Sequence, residues 1–379
     1  MRARELGVEI GILPSGPNDA ISDVAGVRVG HSTIVRGDGP LVVCEGPVRT
    51  GVTVVCPREE LTRDDPVFAG CHTFNGNGEM TGLEWIREAG ALTTPVAITN
   101  THSVGVVRDA LIAAELEAGE EYWSLPVVAE TYDGTLNDIN GMHVTAEHVK
   151  EALVDAKSGL VAEGSVGGGT GMICHEFKGG IGTASRRVPN EEGGWTVGAL
   201  VQANYGARRD LRVDGLPVGR VLTRERIPSP FDQEENRQLP GTGSIIVILA
   251  TDAPLLPTQC DRLAIRAGTG LARIGGGLDD GSGDIFLAFA TGNRGLPRAV
   301  LYQDLPQTFP VRMIPNERMS PLFRAAAEAT EAAILNALLA AGTVTGRDGI
   351  TAHGLTSDLL ATALDEARAL AGLRPVPSP

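Results

Sequence analysis

Acyl-transfer chemistry at a serine needs a hydroxyl, a base within reach and a donor for the developing oxyanion. One serine of this chain can supply the first two by itself. In Leu239-Pro240-Gly241-Thr242-Gly243-Ser244-Ile245-Ile246-Val247-Ile248-Leu249-Ala250 a glycine-bearing loop meets a buried-strand pattern at Ser244. If the Gly243–Ser244 bond is cut, Ser244 carries its hydroxyl and a free α-amine on one residue. Such an amine has a pKa of about 7.7 to 8 and so accepts protons near neutrality. Gly241 and Gly243 lack a Cβ, which allows the strained or left-handed backbone that brings Ser244 Oγ to the Gly243 carbonyl. The same residues also read as a serine opening a core strand after a glycine turn.

Other reactive groups are sparse. None of the seven histidines (His31, His72, His102, His143, His148, His175 and His353) forms an HExxH or another ligand-spaced pair, so no metal site is expected. Of three lysines, Lys178 in Phe177-Lys178-Gly179-Gly180 is the candidate for a Ser-Lys dyad. The glycine-rich segment Gly164 to Gly171 could cradle a phosphate on its amides, but it matches neither GxxxxGK[ST] nor GxGxxG, and tight loop packing is the other reading.

Three further segments place chemistry at strand ends. Glu130 and Tyr132, two apart after an apolar run, share a side if extended: Glu130 could bind a substrate ammonium and Tyr132 could donate a hydrogen bond. Asp133-Gly134 equally suits a surface turn. Asn204, after the strand-like Ala199 to Val201, is an oxyanion donor or an ordinary turn residue. Ser282-Gly283-Asp284, before a strand at Ile285 to Ala290, is a plain turn or a hydroxyl and carboxylate pair that orients the nucleophile's amine.

The elements that must position these groups alternate. Short β-like runs (Val27 to Val29, Val52 to Cys56, Val96 to Thr99, Val127 to Thr131) are interleaved with helical stretches. One helix contains Trp85 to Ala89 and stops at Gly90; another runs from Val104 to Ala118 behind Ser103; a third follows Thr145 to about Ala156. This is an α/β pattern. Pro217 to Gly243 turns polar and charged and reads as an exposed loop, where a cut is tolerated. Thr258 can cap a helix carrying Leu263, Ala267, Leu271 and Ile274, and Ser320 with Pro321 starts a long alanine-rich helix that Gly342 is placed to end.

Composition excludes several function classes. With 32 basic against 47 acidic residues and a net charge of -15, nucleic acid and anionic membrane are poor partners. Five widely spaced cysteines without a CxxC point to buried thiols in a reducing compartment. The start of the chain lacks the apolar core of a signal peptide, and no run approaches a membrane span, so a soluble, cytoplasmic protein is expected.

Taken in order, Ile21-Ser22-Asp23 to Gly30-His31, Thr99-Asn100-Thr101-His102-Ser103, Glu130-Thr131-Tyr132-Asp133-Gly134, Leu136-Asn137-Asp138-Ile139, Gly179 to Arg186, Gly243-Ser244, Ser282 to Phe286 and Pro321-Leu322-Phe323 carry a family likeness. The chain resembles the β-aminopeptidase and L-aminopeptidase/D-amidase/D-esterase (DmpA-like) family of self-processing hydrolases, related in fold to ornithine acetyltransferases. The resemblance implies a four-layer αββα sandwich and one self-processing hydrolase domain over residues 1–379. That domain is cut between Gly243 and Ser244 into a long subunit, 1–243, and a short subunit, 244–379. It further implies Ser244 as nucleophile and Ser282 with Asp284 as the pair bonding around it, Asp284 standing where some members carry glutamate. Asn204 resembles the oxyanion donor with Tyr132 as a second contributor, and Glu130 the anchor for the substrate amine. A tetramer of processed heterodimers and no cofactor are implied. The expected activity is hydrolysis of short peptides, amides or esters with a free amine. An acyltransferase of the ornithine acetyltransferase kind is the enzymatic alternative, and a binding protein using residues 164–171 for a phosphorylated ligand is the non-catalytic one.

Overall fold

The computed structural model describes residues 2–117, 123–232, 243–297 and 307–372. Strands β1 (Arg28–Arg36), β2 (Val48–Cys56), β5 (Val96–Asn100) and β6 (Val127–Thr131) form a four-stranded sheet in the order β1-β2-β5-β6. A six-stranded sheet has the order β4-β3-β12-β11-β10-β9. Its strands are β3 (Val67–Gly76), β4 (Ala91–Leu92), β9 (Gly180–Arg187), β10 (Thr196–Asn204), β11 (Gly243–Thr251) and β12 (Ser282–Ala290). A hairpin of β7 (Ile173–Cys174) and β8 (Phe177–Lys178) leads into β9.

Side-chain alternation turns these sheets into layers. On β11, Ile246, Ile248 and Ala250 pack with Ile98 and Ala129 of the smaller sheet, while Ile245, Val247 and Leu249 face the helices α4 (Pro257–Arg273) and α5 (Ser320–Ala340). The far side of the smaller sheet, with Val52, Val54, Ala97 and Val128, is covered by α2 (Val104–Glu117) and α3 (Ala146–Asp155). The stack is helix, sheet, sheet, helix: the expected αββα sandwich. No helix among the described residues is long and apolar enough to cross a membrane.

Several local expectations shift. Ser282, Gly283 and Asp284 lie in β12 and form no turn, because the parallel partner β11 extends the ladder to the pair Gly243 and Ser282. Tertiary pairing overrides local turn chemistry there. Pro257, not Thr258, opens α4, since its fixed φ suits the first helical position. The stretch after Pro217 is less exposed than its charge suggests: Val218, Leu222 and Ile227 are buried in the helix-side core. Residues 233–242, the rest of the anticipated loop, lie outside the described residues. Asp133 is wholly buried, so Asp133-Gly134 makes no surface turn.

The glycine-rich segment follows its packing reading. Gly167, Gly168 and Gly169 form a buried 3₁₀ turn between the sheets, where the Gly167 and Gly168 amides donate to the hydroxyls of Thr33 and Thr53 at 2.8 and 3.2 Å. Amides spent this way cannot cradle a phosphate. A Cβ on Gly168 would lie 2.2 Å from Gln202 Oε1 and 2.7 Å from the Ile98 carbonyl oxygen. Gly168→Ala is therefore expected to cost about 1–3 kcal/mol through overpacking, read from the midpoint of denaturant unfolding. An unchanged midpoint would show that the inter-sheet space is slack.

Candidate active site

A cavity of about 620 Å³ opens at the N-terminal ends of β11 and β12 and the C-terminal end of β6. Asn77, Gly78, Glu79, Thr101, Glu130, Tyr132, Asn204, Gly243, Ser244 and Gly281 line it. A larger cavity of about 760 Å³ lies where α4 meets the start of α5, but its lining sets Glu192 and Glu317 among four arginines and holds no side-chain amide. Chemistry, not size, singles out the first.

Three strands meet at one level there: Asn204 of β10 pairs with Ser244 of β11, which pairs with Gly283 of β12. The backbone is continuous through Gly243 and Ser244, and the Ser244 hydroxyl donates to the Gly243 carbonyl oxygen at 2.8 Å. Its oxygen accepts the Gly283 N–H at 3.2 Å. Gly243 has φ +153°, a left-handed value that favours glycine, and a Cβ there would lie 2.0 Å from the Asn204 carbonyl oxygen. Gly283 needs its bare backbone too, since a Cβ would fall 2.6 Å from the Asn77 carbonyl oxygen.

Alternation along the two strands divides the site. Ser244 shares the inter-sheet face with Ile246, whereas Ser282 and Asp284 share the helix face with Phe286. The Ser282 hydroxyl donates to Asp284 Oδ1 at 2.5 Å, and the Asp284 carboxylate also accepts the Ile245 backbone N–H. The pair thus lies against the backbone of β11, on the face opposite the Ser244 hydroxyl. Burial pushes the Asp284 carboxyl up to about 6, against the pull of those two donors. Asp284 Oδ2 is buried with no partner among the described residues, which leaves an acceptor open at this point.

Asn204 is fixed by its neighbours in one amide orientation. The Ile173 N–H donates to Oδ1 at 2.8 Å, and Nδ2 donates to the Tyr132 carbonyl oxygen at 2.9 Å. A donor at one end and an acceptor at the other exclude the flipped amide and leave the second Nδ2 proton uncommitted. Tyr132, just past the end of β6, lines the cavity with its half-exposed ring and contributes its carbonyl to this arrangement. Glu130 is 4% exposed and accepts the Glu79 N–H at 2.9 Å and the Thr101 hydroxyl. Burial raises its pKa, and these two donors oppose the rise.

The structure therefore brings Ser244, Asn204, Tyr132 and Glu130 around one cavity and sets Ser282 and Asp284 beneath it. Lys178 does not line the cavity: its amine is spent on the Gly169 and Gly179 carbonyls. Three contributors escape the sequence reading. The Gly283 amide is one, because a backbone donor leaves no side-chain signature. Asn75 and Asn77 are the others: their side chains donate to the carbonyls of Asp280 and Gly281 and so tie the loop before β12 to the end of β3. The alternating Asn-Gly run at 75–78 is their only signal. A β-bulge at Phe74, opposite the step from Asp284 to Ile285, re-aims that strand end beside the site.

Comparison with known proteins matches this arrangement. Residues 19–352 match the model of peptidase family S58. A β-peptidyl aminopeptidase, BapA, of Sphingosinicella microcystinivorans is 48% identical over 98% of this chain and 94% of its own. A solved β-aminopeptidase of a Burkholderia species superposes with a TM-score of 0.91 at 58% identity, covering 99% of this chain and 100% of that one. The L-aminopeptidase D-Ala-esterase/amidase of Ochrobactrum anthropi, described as a variant of the Ntn hydrolase fold, gives 0.85 at 42% identity over 96% and 98%. With the family model spanning most of its length and relatives this similar across nearly all of it, the chain belongs to peptidase family S58.

Proposed function

We propose that Ser244 is the nucleophile of this serine aminopeptidase/amidase and that it gains its base by cutting the Gly243–Ser244 bond. The observation that carries the reading is the composition of the cavity. No histidine or lysine stands among its described lining residues, while the Ser244 hydroxyl already sits on the carbonyl of the bond before it. Ser244 Oγ adds to the Gly243 carbonyl carbon, the peptide nitrogen leaves with a proton, and water hydrolyses the resulting ester. The freed α-amine is one residue before Ile245, whose N–H Asp284 accepts, and the open Asp284 oxygen is the acceptor proposed to orient it.

In turnover, the substrate amine pairs with Glu130 and Oγ attacks the carbonyl while the α-amine takes its proton. Asn204 Nδ2 stabilises the oxyanion with Tyr132 as second contributor, while the Gly283 N–H holds Oγ. The α-ammonium then protonates the leaving group, and water releases the acid. The described lining holds two carboxylates, Glu79 and Glu130, and no cation. This suits a free amine and provides no anchor for a C-terminal carboxylate, so short peptides, amides and esters all qualify. The relatives named for β-peptidyl substrates favour β-amino acyl groups within that class.

Cleavage need not separate the parts. The long subunit 1–243 holds β3 and β10, and the short subunit 244–379 holds β11 and β12 between them, so separation breaks two strand interfaces. A tetramer of such heterodimers is the assembly proposed from the family resemblance. Five free cysteines favour a reducing, cytoplasmic setting. The acyltransferase alternative is not favoured, because the relatives are aminopeptidases and amidases.

On a denaturing gel, scaling 39.6 kDa by 243 and 136 of 379 residues places the wild-type bands at roughly 25 and 14 kDa, with Ser244→Ala running as one intact chain. An intact wild type that still hydrolyses amides would sink the self-cleavage route. Processed Asn204→Ala should lose about 10²- to 10³-fold in kcat while staying folded. Asp284→Asn separates activity from stability. A carboxyl raised from 3.8 to about 6 gives stability that is full below pH 3.8 and lost as pH rises through 6. Relative to wild type, the Asn variant should therefore be stabilised more at pH 8 than at pH 4.5, by at most about 2 kcal/mol and seen as a larger Tm gain, while kcat collapses. An equal Tm difference at both pH values would mean that the carboxyl is not raised.

A further inference from the structure

The glycine-rich segment and Lys178, neither of which touches the substrate cavity, meet in the fold. Lys178 closes β8 and is wholly buried; its Nζ donates to the Gly169 carbonyl at 3.1 Å and to that of Gly179 at 2.8 Å. No carboxylate pairs with it among the described residues, and burial pushes the amine down to about 7. Methionine would fill a similar volume without desolvating an amine, so packing alone gives no reason for lysine here.

What the amine holds leads directly to Asn204. Lys178 pairs across the hairpin with Ile173, and the Ile173 N–H is the donor that fixes Asn204 Oδ1. Gly179 leads into Gly180, which pairs with Ala203, the neighbour of Asn204. Gly169 belongs to the plug wedged between the sheets, so it is a rigid anchor: a Cβ there would lie 2.4 Å from the Ile181 nitrogen.

We propose that Lys178 is a positioning residue, whose amine ties the hairpin to the Gly169 plug and thereby sets the Ile173 amide that aims Asn204 at the oxyanion. The proposal rests on the oxyanion role of Asn204. It also accounts for the glycine-rich segment as a mechanical support for that role.

The test is a double-mutant cycle with Lys178→Met and Asn204→Ala, measuring kcat and KM of fully processed protein on a free-amine p-nitroanilide. Lys178→Met should lower kcat about 10- to 100-fold with KM held within about two-fold, since a displaced donor acts in the transition state. In the double variant the lysine change should add nothing to the loss from Asn204→Ala, a coupling that a merely structural role would not produce. A lowered Tm with kcat intact, or losses that multiply, overturns the proposal. If Lys178→Met does not fold, Lys178→Arg, which keeps the charge but displaces the donors, goes through the same cycle with the same criteria. Full activity in Asn204→Ala alone overturns the reading of Asn204 and this one together. A crippled Asn204→Ala with multiplying losses overturns only the link to Lys178.

Discussion

Everything in this site depends on three backbones being close enough to share one level: Asn204, Ser244 and Gly283 on adjacent strands. Strand spacing fixes the distance between chains, so the freedom that remains is what each residue projects into the gap. At Gly243 any side chain would strike the Asn204 carbonyl, and at Gly283 it would strike Asn77. Those two glycines let a hydroxyl, a carbonyl and an amide meet without competing bulk. A side chain at either position would spread the strand ends and separate the donor from the oxygen it serves.

The apolar layers make that meeting rigid. β11 lies inside its sheet with apolar clusters on both faces, so its register cannot slip without moving Ile246 and Ile248 out of the inter-sheet core. Against that background the polar groups at its end are costly. Asp284, Glu130 and Asp133 are buried carboxyls, each raised by desolvation. They are held by aligned donors rather than by cations: Asp133 accepts from the side chains of Asn100 and Asn137 at 3.2 and 3.0 Å. Stability is given up at the strand ends and recovered from the strands themselves, a pattern expected where function sets the local arrangement.

How much of this was legible in the sequence follows from the range of each interaction. The α/β alternation was readable because strand and helix periods are local, the αββα layering came through resemblance, and Ser244 stood out because a glycine turn into an aliphatic run is local too. The cavity around Ser244, Asn204, Tyr132 and Glu130 was readable only through resemblance, since its members come from three strands spread over more than a hundred residues of the chain. Local sequence left Ser282 and Asp284 open between a turn and a hydroxyl and carboxylate pair, because only the partner β11 makes that stretch a strand. The burial of Asp133 was invisible for a similar reason: Asp-Gly has the same turn chemistry whether or not Asn100 and Asn137 are waiting beside it. Gly283 could not be found at all, because a backbone amide has no residue type.

The opposite faces taken by Ser244 and Asp284 bear on the proposal that this serine uses its own amine as base. A carboxylate on the helix face cannot reach a hydroxyl on the inter-sheet face through a strand it is bonded to, so Asp284 cannot act as a direct base on Oγ. What it accepts here is the backbone N–H of Ile245, the residue after Ser244. The Ser244 nitrogen is itself an amide in the uncut chain and has no basicity to tune. On the proposed route the freed Ser244 nitrogen becomes an amine on the same residue as the hydroxyl and next to the N–H that Asp284 accepts, the part that a separate histidine plays in a three-residue triad. On the proposed route nucleophile and base are compressed into one residue, scission precedes activity, and the uncut chain lacks only the group that accepts the proton.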